Sequence, residues 1–162
     1  MLSATHLAYA LRVASRVSYP LRTPDVCSIA RTLDVFGDTW SVLVIREMFL
    51  GTHRFDQLQQ HLGIARNVLA ARLRRLVAHG ILSKRLYQEH PPRFEYHLTR
   101  RGVDLYPVVV SLMQWGDRHL AGPGGGPVVL EHTSCGHRTE LVPACRACGK
   151  PIDPREMRAL PR

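Results

Sequence analysis

The sequence predicts a mainly α-helical domain that carries one small β-hairpin and is followed by a small β-rich appendage. Apolar residues recur at helical spacing in several segments between Cys27 and Leu120, which predicts amphipathic helices. Two stretches that alternate apolar and polar residues flank His90-Pro91-Pro92 and predict a pair of strands. Behind a Gly-Pro linker lies a short segment with three cysteines, too small to bury a core of its own.

Length and composition favour one compact domain with an appendage. The chain has 162 residues, 45 % of them hydrophobic, and a typical domain takes roughly 100–150 residues. We divide the chain into a leader over 1–24, the main domain over 25–120, a Gly/Pro linker over 121–127, the appendage over 128–155 and a C-terminal tail over 156–162.

Nothing in the sequence predicts a membrane span or a secretory signal. No apolar run reaches eighteen residues, and Arg12 and Arg16 interrupt the apolar stretch of the first twenty residues. We therefore expect a cytoplasmic protein with no membrane partner. In that reducing compartment the four cysteines are expected to be metal ligands or free thiols rather than disulfides.

The main domain is predicted to open with four helices. The first covers Cys27–Phe36, and the second starts after a cap at Asp38 or Thr39 and ends before Gly51. A short third helix over Gln57–Leu62 is predicted to start at a capping box formed by Asp56 and Gln59. The fourth covers Arg66–His79 and ends at Gly80, and with the short helix before it makes a helix-turn-helix.

A β-hairpin and a long helix complete the domain. The hairpin over 82–98 directly follows the fourth helix, which makes it a wing and predicts a winged helix-turn-helix. Thr99 is expected to cap a helix over Arg100–Leu120, with a kink or a late start at Pro107. This helix is apolar on nearly all sides, so we expect a second subunit to cover part of it.

The charge distribution predicts double-stranded DNA as the partner. The net charge is +9 and the pI near 10.1, and the segment Gly51–Arg101 holds ten Lys and Arg against three acidic residues. On the Arg66–His79 helix, Asn67 and Arg74 face away from the apolar stripe between small alanines, which suits base contacts in a major groove. The other arginines are expected at phosphates, and Arg93 at the wing tip in the minor groove. The predicted DNA-binding residues are Arg66, Asn67, Ala71, Arg72, Arg74, Arg75 and Arg93.

Several blocks of the chain, in order, resemble the HxlR family of MarR-like winged helix-turn-helix regulators. They are CSIARTLDVFGDTWSVLVIREMFLG, RFDQLQQHLGIARNVLAARLRRLVAHGIL, YQEHPPRFEYHLTRRG and PVVVSLMQWGDRHL, which together span roughly residues 25 to 120. The resemblance implies a transcriptional regulator, expected to be a repressor, that binds a palindromic operator as a homodimer. It also implies dimer contacts from Cys27–Phe36 and Arg100–Leu120. One departure is Ala65, where the family often has Ser or Thr, since losing such a cap costs about 1 kcal/mol.

The appendage carries a predicted structural zinc site. His132-x-x-Cys135 and Cys145-x-x-Cys148 are two short pairs, and a glycine follows the second residue of each, as knuckle turns need. Three thiolates and one imidazole would close a tetrahedral shell, which argues against a catalytic zinc. His137 is an alternative nitrogen ligand to His132. Free cysteines on a flexible tail are the other interpretation.

Cys27 stands apart at the start of the first helix. It is either a small buried residue or a redox switch, since a helix N-terminus lowers the pKa of a thiol. With no second cysteine nearby in sequence, a disulfide from Cys27 would join two subunits.

Other functions receive less support from the sequence. There is no nucleophile elbow, phosphate loop or carboxylate pair, so we expect no enzyme. The alternatives left open are a regulator that senses a redox, electrophile or small-molecule effector, and an adaptor that binds another protein through the zinc knuckle.

Overall fold

The structure is a computed structural model that describes residues 27–160. The described part falls into two compact units. One covers Thr32–Leu141, so it continues past the Gly/Pro linker that we placed at 121–127. The other, among described residues, comprises 27–31 and 142–160. The leader predicted over 1–24 lies outside the described residues.

Four helices open the described part of the chain in the predicted order. They are α1 over Ser28–Phe36, α2 over Thr39–Phe49, α3 over Phe55–Leu62 and α4 over Arg66–Ala78. Of the two predicted caps for α2, the structure selects Asp38, whose carboxylate accepts a hydrogen bond from the Ser41 backbone N–H at 3.0 Å.

The capping box predicted for α3 is wrong. The helix starts at Phe55, its N-cap is Arg54, and no side chain caps it, so Asp56 lies inside the first turn. The start of α4 follows the prediction: Ala65 is the N-cap and makes no side-chain bond. Gly80 ends α4 with a φ of 67°, which lies in the left-handed region that favours glycine.

The wing is an antiparallel hairpin of β1 over Leu82–Gln88 and β2 over Arg93–Leu98. Leu82 pairs with Leu98, and a register shift lies between Leu86 and Gln88. A third piece of backbone joins the far side of β2, where Arg54 bridges to Glu95. The segment that leads into α3 therefore anchors the wing to the helix-turn-helix.

The long helix predicted over Arg100–Leu120 is divided. A short α5 covers Arg100–Val103, capped by Thr99, whose hydroxyl accepts from the Gly102 N–H at 3.2 Å. The main helix α6 covers Tyr106–His119 with Pro107 in its first turn, which confirms the expected late start. Gly102 permits this packing, because a Cβ there would lie 2.3 Å from the carbonyl oxygen of Ile81.

In the described part of the chain, one apolar core lies under the helix-turn-helix. Its fully buried members come from α2, α3, α4 and the first residues of the wing. They include Val44, Ile45, Leu58, Leu69, Leu73, Leu76, Ile81 and Leu82. Side chains of α6 such as Val109 pack against its edge. This core holds α4 from one side only and leaves its opposite side free.

The appendage has little regular structure. In the Thr32–Leu141 unit, β3 over Leu130–His132 pairs with β4 over His137–Thr139. In the other unit, Ala144 bridges to Pro151, and a 3-10 turn covers Pro154–Glu156. Across residues 27–160, no helix has both the length and the apolarity needed to cross a bilayer.

Candidate nucleic-acid interface

The fourth helix has one buried side and one open side. Leu69, Leu73 and Leu76 are completely buried. Asn67 and Arg74 are exposed on the opposite side, where the half-buried Ala70 and Ala71 add almost no bulk. A helix with such a slim outer side is shaped to enter a major groove, where Asn reads adenine and Arg reads guanine.

Two predicted DNA-binding arginines line one cleft between α3, the start of α4 and the wing. Arg66 and Arg93 are both exposed, and the cleft has a volume of about 490 Å³. The Arg66 guanidinium lies over the ring of Phe55, 5.1 Å from its centroid. Tyr87 and Tyr96 contribute to the wall. Asp56 lines the same cleft, so two arginines and one aspartate share its wall. This excess of basic side chains suits a sugar–phosphate backbone.

Two other predicted DNA-binding arginines of α4, Arg72 and Arg75, contact other parts of the protein. Arg72 Nε lies 3.0 Å from Asp38 Oδ1, and both side chains are about 30 % exposed. That Nε is shielded from solvent and its N–H is not aligned for a hydrogen bond, so the contact is an ion pair. Arg75 donates a hydrogen bond to the carbonyl oxygen of Asp34 in the last turns of α1. The structure therefore separates Arg72 and Arg75 from Arg66, Arg74 and Arg93.

The environment of Asp38 favours its charged form. Burial raises the pKa of its carboxyl, but the hydrogen bonds from Ser41 and the charges of Arg72 and Arg75 outweigh burial. The pKa consequently lies below its ordinary value. Asp38 is a carboxylate at neutral pH, as an ion pair requires.

The root of the wing holds polar residues that were not predicted from the sequence. Arg54 Nε donates to Glu95 at 2.9 Å, and this bond is the main cause that lowers the pKa of Glu95. The Arg54 guanidinium also lies 4.5 Å from the centre of the Tyr87 ring. The Tyr96 backbone N–H donates to the carbonyl of His53 at 2.9 Å. The partners lie about forty residues apart in sequence, so no local pattern could have paired them.

A second carboxylate, this one buried, stabilises the scaffold behind the helix-turn-helix. Glu47 of α2 accepts from Arg46 at 2.7 Å and lies 3.0 Å from Nδ1 of His61 in α3. Burial raises the pKa of Glu47, but these hydrogen bonds and the Arg46 charge outweigh it and lower the pKa. The two helices are thus joined by polar contacts as well as by the core.

The outer side of α6 is apolar and open. Val108, Leu112 and Trp115 are spaced at i, i+4 and i+7, and Leu112 and Trp115 are 54 % and 53 % exposed. Residues at this spacing form one stripe along a helix. Among the described residues, the core packs against another side of α6 and leaves this stripe uncovered.

Each cysteine-containing pair forms its own tight turn. The Cys135 and Gly136 N–H groups donate to the His132 carbonyl, and Cys135 Sγ lies 3.4 Å from His132 Nδ1. The N–H groups of Cys148 and Ala147 point at the Cys145 sulfur and lower the pKa of its thiol.

The two cysteine-containing pairs belong to different compact units. Within 27–160, no three His, Cys, Asp or Glu side chains gather at metal-binding distance. The zinc site stays a prediction.

Cys27 is the first described residue. It is a free cysteine of intermediate exposure, directly before α1, and its carbonyl accepts from the Arg31 N–H at 3.0 Å. Both interpretations of Cys27 from the sequence, a small buried residue and a redox switch, stay predictions.

A recognition-type helix, a tight turn before it and a hairpin wing beside it define a helix-turn-helix transcriptional regulator. Comparison with known proteins identifies the same class. The family model described as HxlR-like helix-turn-helix matches residues 35–122. The chain belongs to this family.

Relatives and solved structures agree with this assignment. The uncharacterized HTH-type transcriptional regulator Rv3095 of Mycobacterium tuberculosis is 42 % identical over 130 residues, 80 % of this chain and 82 % of that protein. PA1607, a candidate transcription factor, has a crystal structure with a TM-score of 0.75 and 38 % identity over 83 % of this chain and 94 % of its own. The redox regulator HypR in its reduced form has a TM-score of 0.53 and 34 % identity, over 56 % of this chain and 90 % of its own.

Proposed function

We propose that the protein is a repressor that occupies a palindromic DNA operator as a homodimer. The observation that carries the proposal is the open side of α4, where Asn67 and Arg74 are exposed between small side chains. In this interpretation α4 lies in a major groove and reads bases. Arg66 and Arg93 hold the backbone that passes through the cleft beside the wing. For Arg93 this replaces the minor-groove contact expected from the sequence, because Arg93 lines the same cleft as Arg66.

The homodimer is supported by the apolar stripe of α6. Leu112 and Trp115 are half exposed, which is costly for large apolar side chains on a free surface. A second copy that contributes the same stripe would cover both, with a two-fold axis between them. Two recognition helices related by such an axis read two half-sites of opposite orientation, which is why the operator is palindromic.

We also propose that zinc binds the appendage as a structural ion. The donor set, three thiolates with the imidazole of His132 or His137, matches a closed tetrahedral site. The local turns support it, because the His132–Gly136 and Cys145–Gly149 segments each close a hydrogen-bonded turn that ends in a left-handed glycine. The ion would stabilise the appendage, which is too short to bury an apolar core of its own.

Salt titration of duplex binding tests the function. Two phosphate-directed arginines in each of two subunits make about four phosphate contacts. The logarithm of the association constant is therefore expected to fall with the logarithm of the salt concentration, with a slope of about −4. The full chain is titrated against duplexes selected from a random-sequence pool, with fluorescence anisotropy as readout. Selection that enriches no sequence, or affinity that does not change with salt, would refute the proposal.

The variant Arg74→Ala tests base reading. It is expected to weaken binding to the selected operator by about 1–3 kcal/mol, because Arg74 is assigned to a base edge. It should also relax the preference for one base pair in each half-site. Arg93→Ala is the matched control, since losing a backbone contact weakens binding on every sequence alike. Equal losses on operator and scrambled duplex for Arg74→Ala would move Arg74 to the phosphates.

A second candidate function, redox sensing by the same regulator, is favoured by the likeness to HypR and by the half-exposed Cys27. A hydroperoxide would oxidise two Cys27 thiols, one from each subunit, to a disulfide and be reduced to an alcohol and water. Hydroperoxide is expected to produce a covalent dimer on a non-reducing gel and to change operator affinity, both reversed by dithiothreitol. Cys27→Ser should show neither effect, and an identical response in that variant would exclude Cys27.

A further inference from the structure

The side of α4 that carries Arg72 and Arg75 is distinct from the side that faces outward. At about 100° per residue, Arg72 lies about 40° around the helix from the buried Leu76 and about 160° from Arg74. Its guanidinium consequently points to the seam between α4 and the segment that joins α1 to α2. Asp38 lies in that seam.

Asp38 is fixed before it meets α4. It is the N-cap of α2, and its two oxygens accept from the Ser41 backbone N–H at 3.0 Å and the Ser41 hydroxyl at 2.6 Å. Ser41 is completely buried in the core region. The carboxylate is thereby held rigidly, at a site where the charge of Arg72 compensates its own.

Arg75 adds a second link on the same flank. It donates to the carbonyl oxygen of Asp34, near the C-terminus of α1, where the helix dipole favours a cation. Arg72 and Arg75 are three residues apart, so α4 is held at two points one turn apart. Two such points restrict rotation of the helix about its own axis. The three buried leucines by themselves restrict this rotation less.

We propose that Asp38 is a positioning residue for DNA recognition, which acts through Arg72 and sets the rotation at which α4 presents Asn67 and Arg74 to the bases. Arg72 in this arrangement uses its charge inside the protein and contacts no phosphate. The inference rests on the proposed DNA-binding function and adds to it a residue that is not itself at the DNA.

The variant Asp38→Asn separates this role from capping and from simple charge. Asparagine caps a helix as well as aspartate does, so α2 keeps its N-cap. The change removes one negative charge, which by itself favours DNA binding. We expect the opposite on the selected operator, about a tenfold loss of affinity, with affinity for a scrambled duplex unchanged or higher and an unchanged salt slope.

The double variant Asp38→Asn/Arg72→Gln completes the cycle. If Asp38 acts through Arg72, the double variant binds the operator no more weakly than Arg72→Gln alone. Far-UV circular dichroism and thermal melting verify that each full-length variant is folded. The variant Arg72→Lys keeps the cation and is expected to recover part of the operator affinity. It replaces Arg72→Gln in the cycle if Arg72→Gln fails to fold.

The outcomes distinguish this inference from the function on which it rests. Operator binding by Asp38→Asn as tight as, or tighter than, the unchanged protein would overturn the inference alone. The inference would also be overturned if Arg72→Gln lost equal affinity for the operator and the scrambled duplex and its salt slope fell by about one per subunit. Arg72 would then contact phosphate. Failure of the unchanged protein to bind any duplex would overturn the proposed function, and the inference with it.

Discussion

The substitution Leu112→Asp is expected to convert the proposed dimer into a monomer and to lower operator affinity by at least about a hundredfold. Leu112 lies in the middle of the exposed stripe of α6. A carboxylate there would be buried in the dimer without a partner, which costs several kcal/mol. Since each 1.4 kcal/mol changes affinity about tenfold, this cost is enough to separate the subunits. In the monomer Leu112 is exposed, so the fold of one subunit should not change. Sedimentation equilibrium and anisotropy on the same sample measure both effects.

Two controls accompany that experiment. Leu112→Met keeps volume and apolarity and should remain dimeric. Leu50→Asp places the same charge on another exposed leucine, at the end of α2, and should leave the oligomeric state unchanged. A dimer that survives Leu112→Asp would exclude the α6 stripe as the subunit interface.

Removal of zinc is expected to unfold the appendage while the winged domain stays folded. Structural zinc contributes about 10–16 kcal/mol of apparent binding free energy in zinc-finger peptides, more than a segment of this size gains from packing. The residues over 128–155 are mostly exposed, whereas the core of the Thr32–Leu141 unit lies under the helix-turn-helix. After a chelator is added, limited proteolysis should cut within 128–155, and the main thermal transition should persist.

Cysteine variants provide a matched comparison for zinc. Cys148→Ser should lose bound zinc, measured by atomic absorption, and should gain the same protease sensitivity without chelator. Cys27→Ser, outside the appendage, should retain zinc. A protein purified without zinc that shows a protected appendage would contradict the metal site.

Local patterns were enough to predict the order of the elements. The apolar periodicity of Leu69, Leu73 and Leu76 predicted α4 with its buried side, and Gly80 predicted its end. Thr99 and Pro107 correctly predicted the start of α5 and the break before α6. For Gly80, Thr99 and Pro107 the deciding interaction lies within about one turn of the residue. For the leucines, the apolar spacing alone shows which side of the helix is buried.

Interactions between distant segments account for what the sequence did not predict. The helix α3 starts before Asp56 because Arg54, just ahead of it, is tied to Glu95 of the wing. Asp38 and Arg72 are likewise 34 positions apart in the chain, so the helical pattern placed Arg72 on a polar flank without its partner. A helical wheel records which side a residue faces, and only the packed fold shows what stands on that side.

The shape of the wing has one more consequence. The inner edge of the hairpin is occupied, because β2 bridges to Arg54, while within the described residues β1 has a strand on one side only. An unpaired edge is a template on which another molecule's strand can add. Lys84 and Arg85 stand exposed on β1, and like charges on two approaching edges repel. We therefore expect these charges to oppose strand-to-strand aggregation, and high salt to weaken that effect.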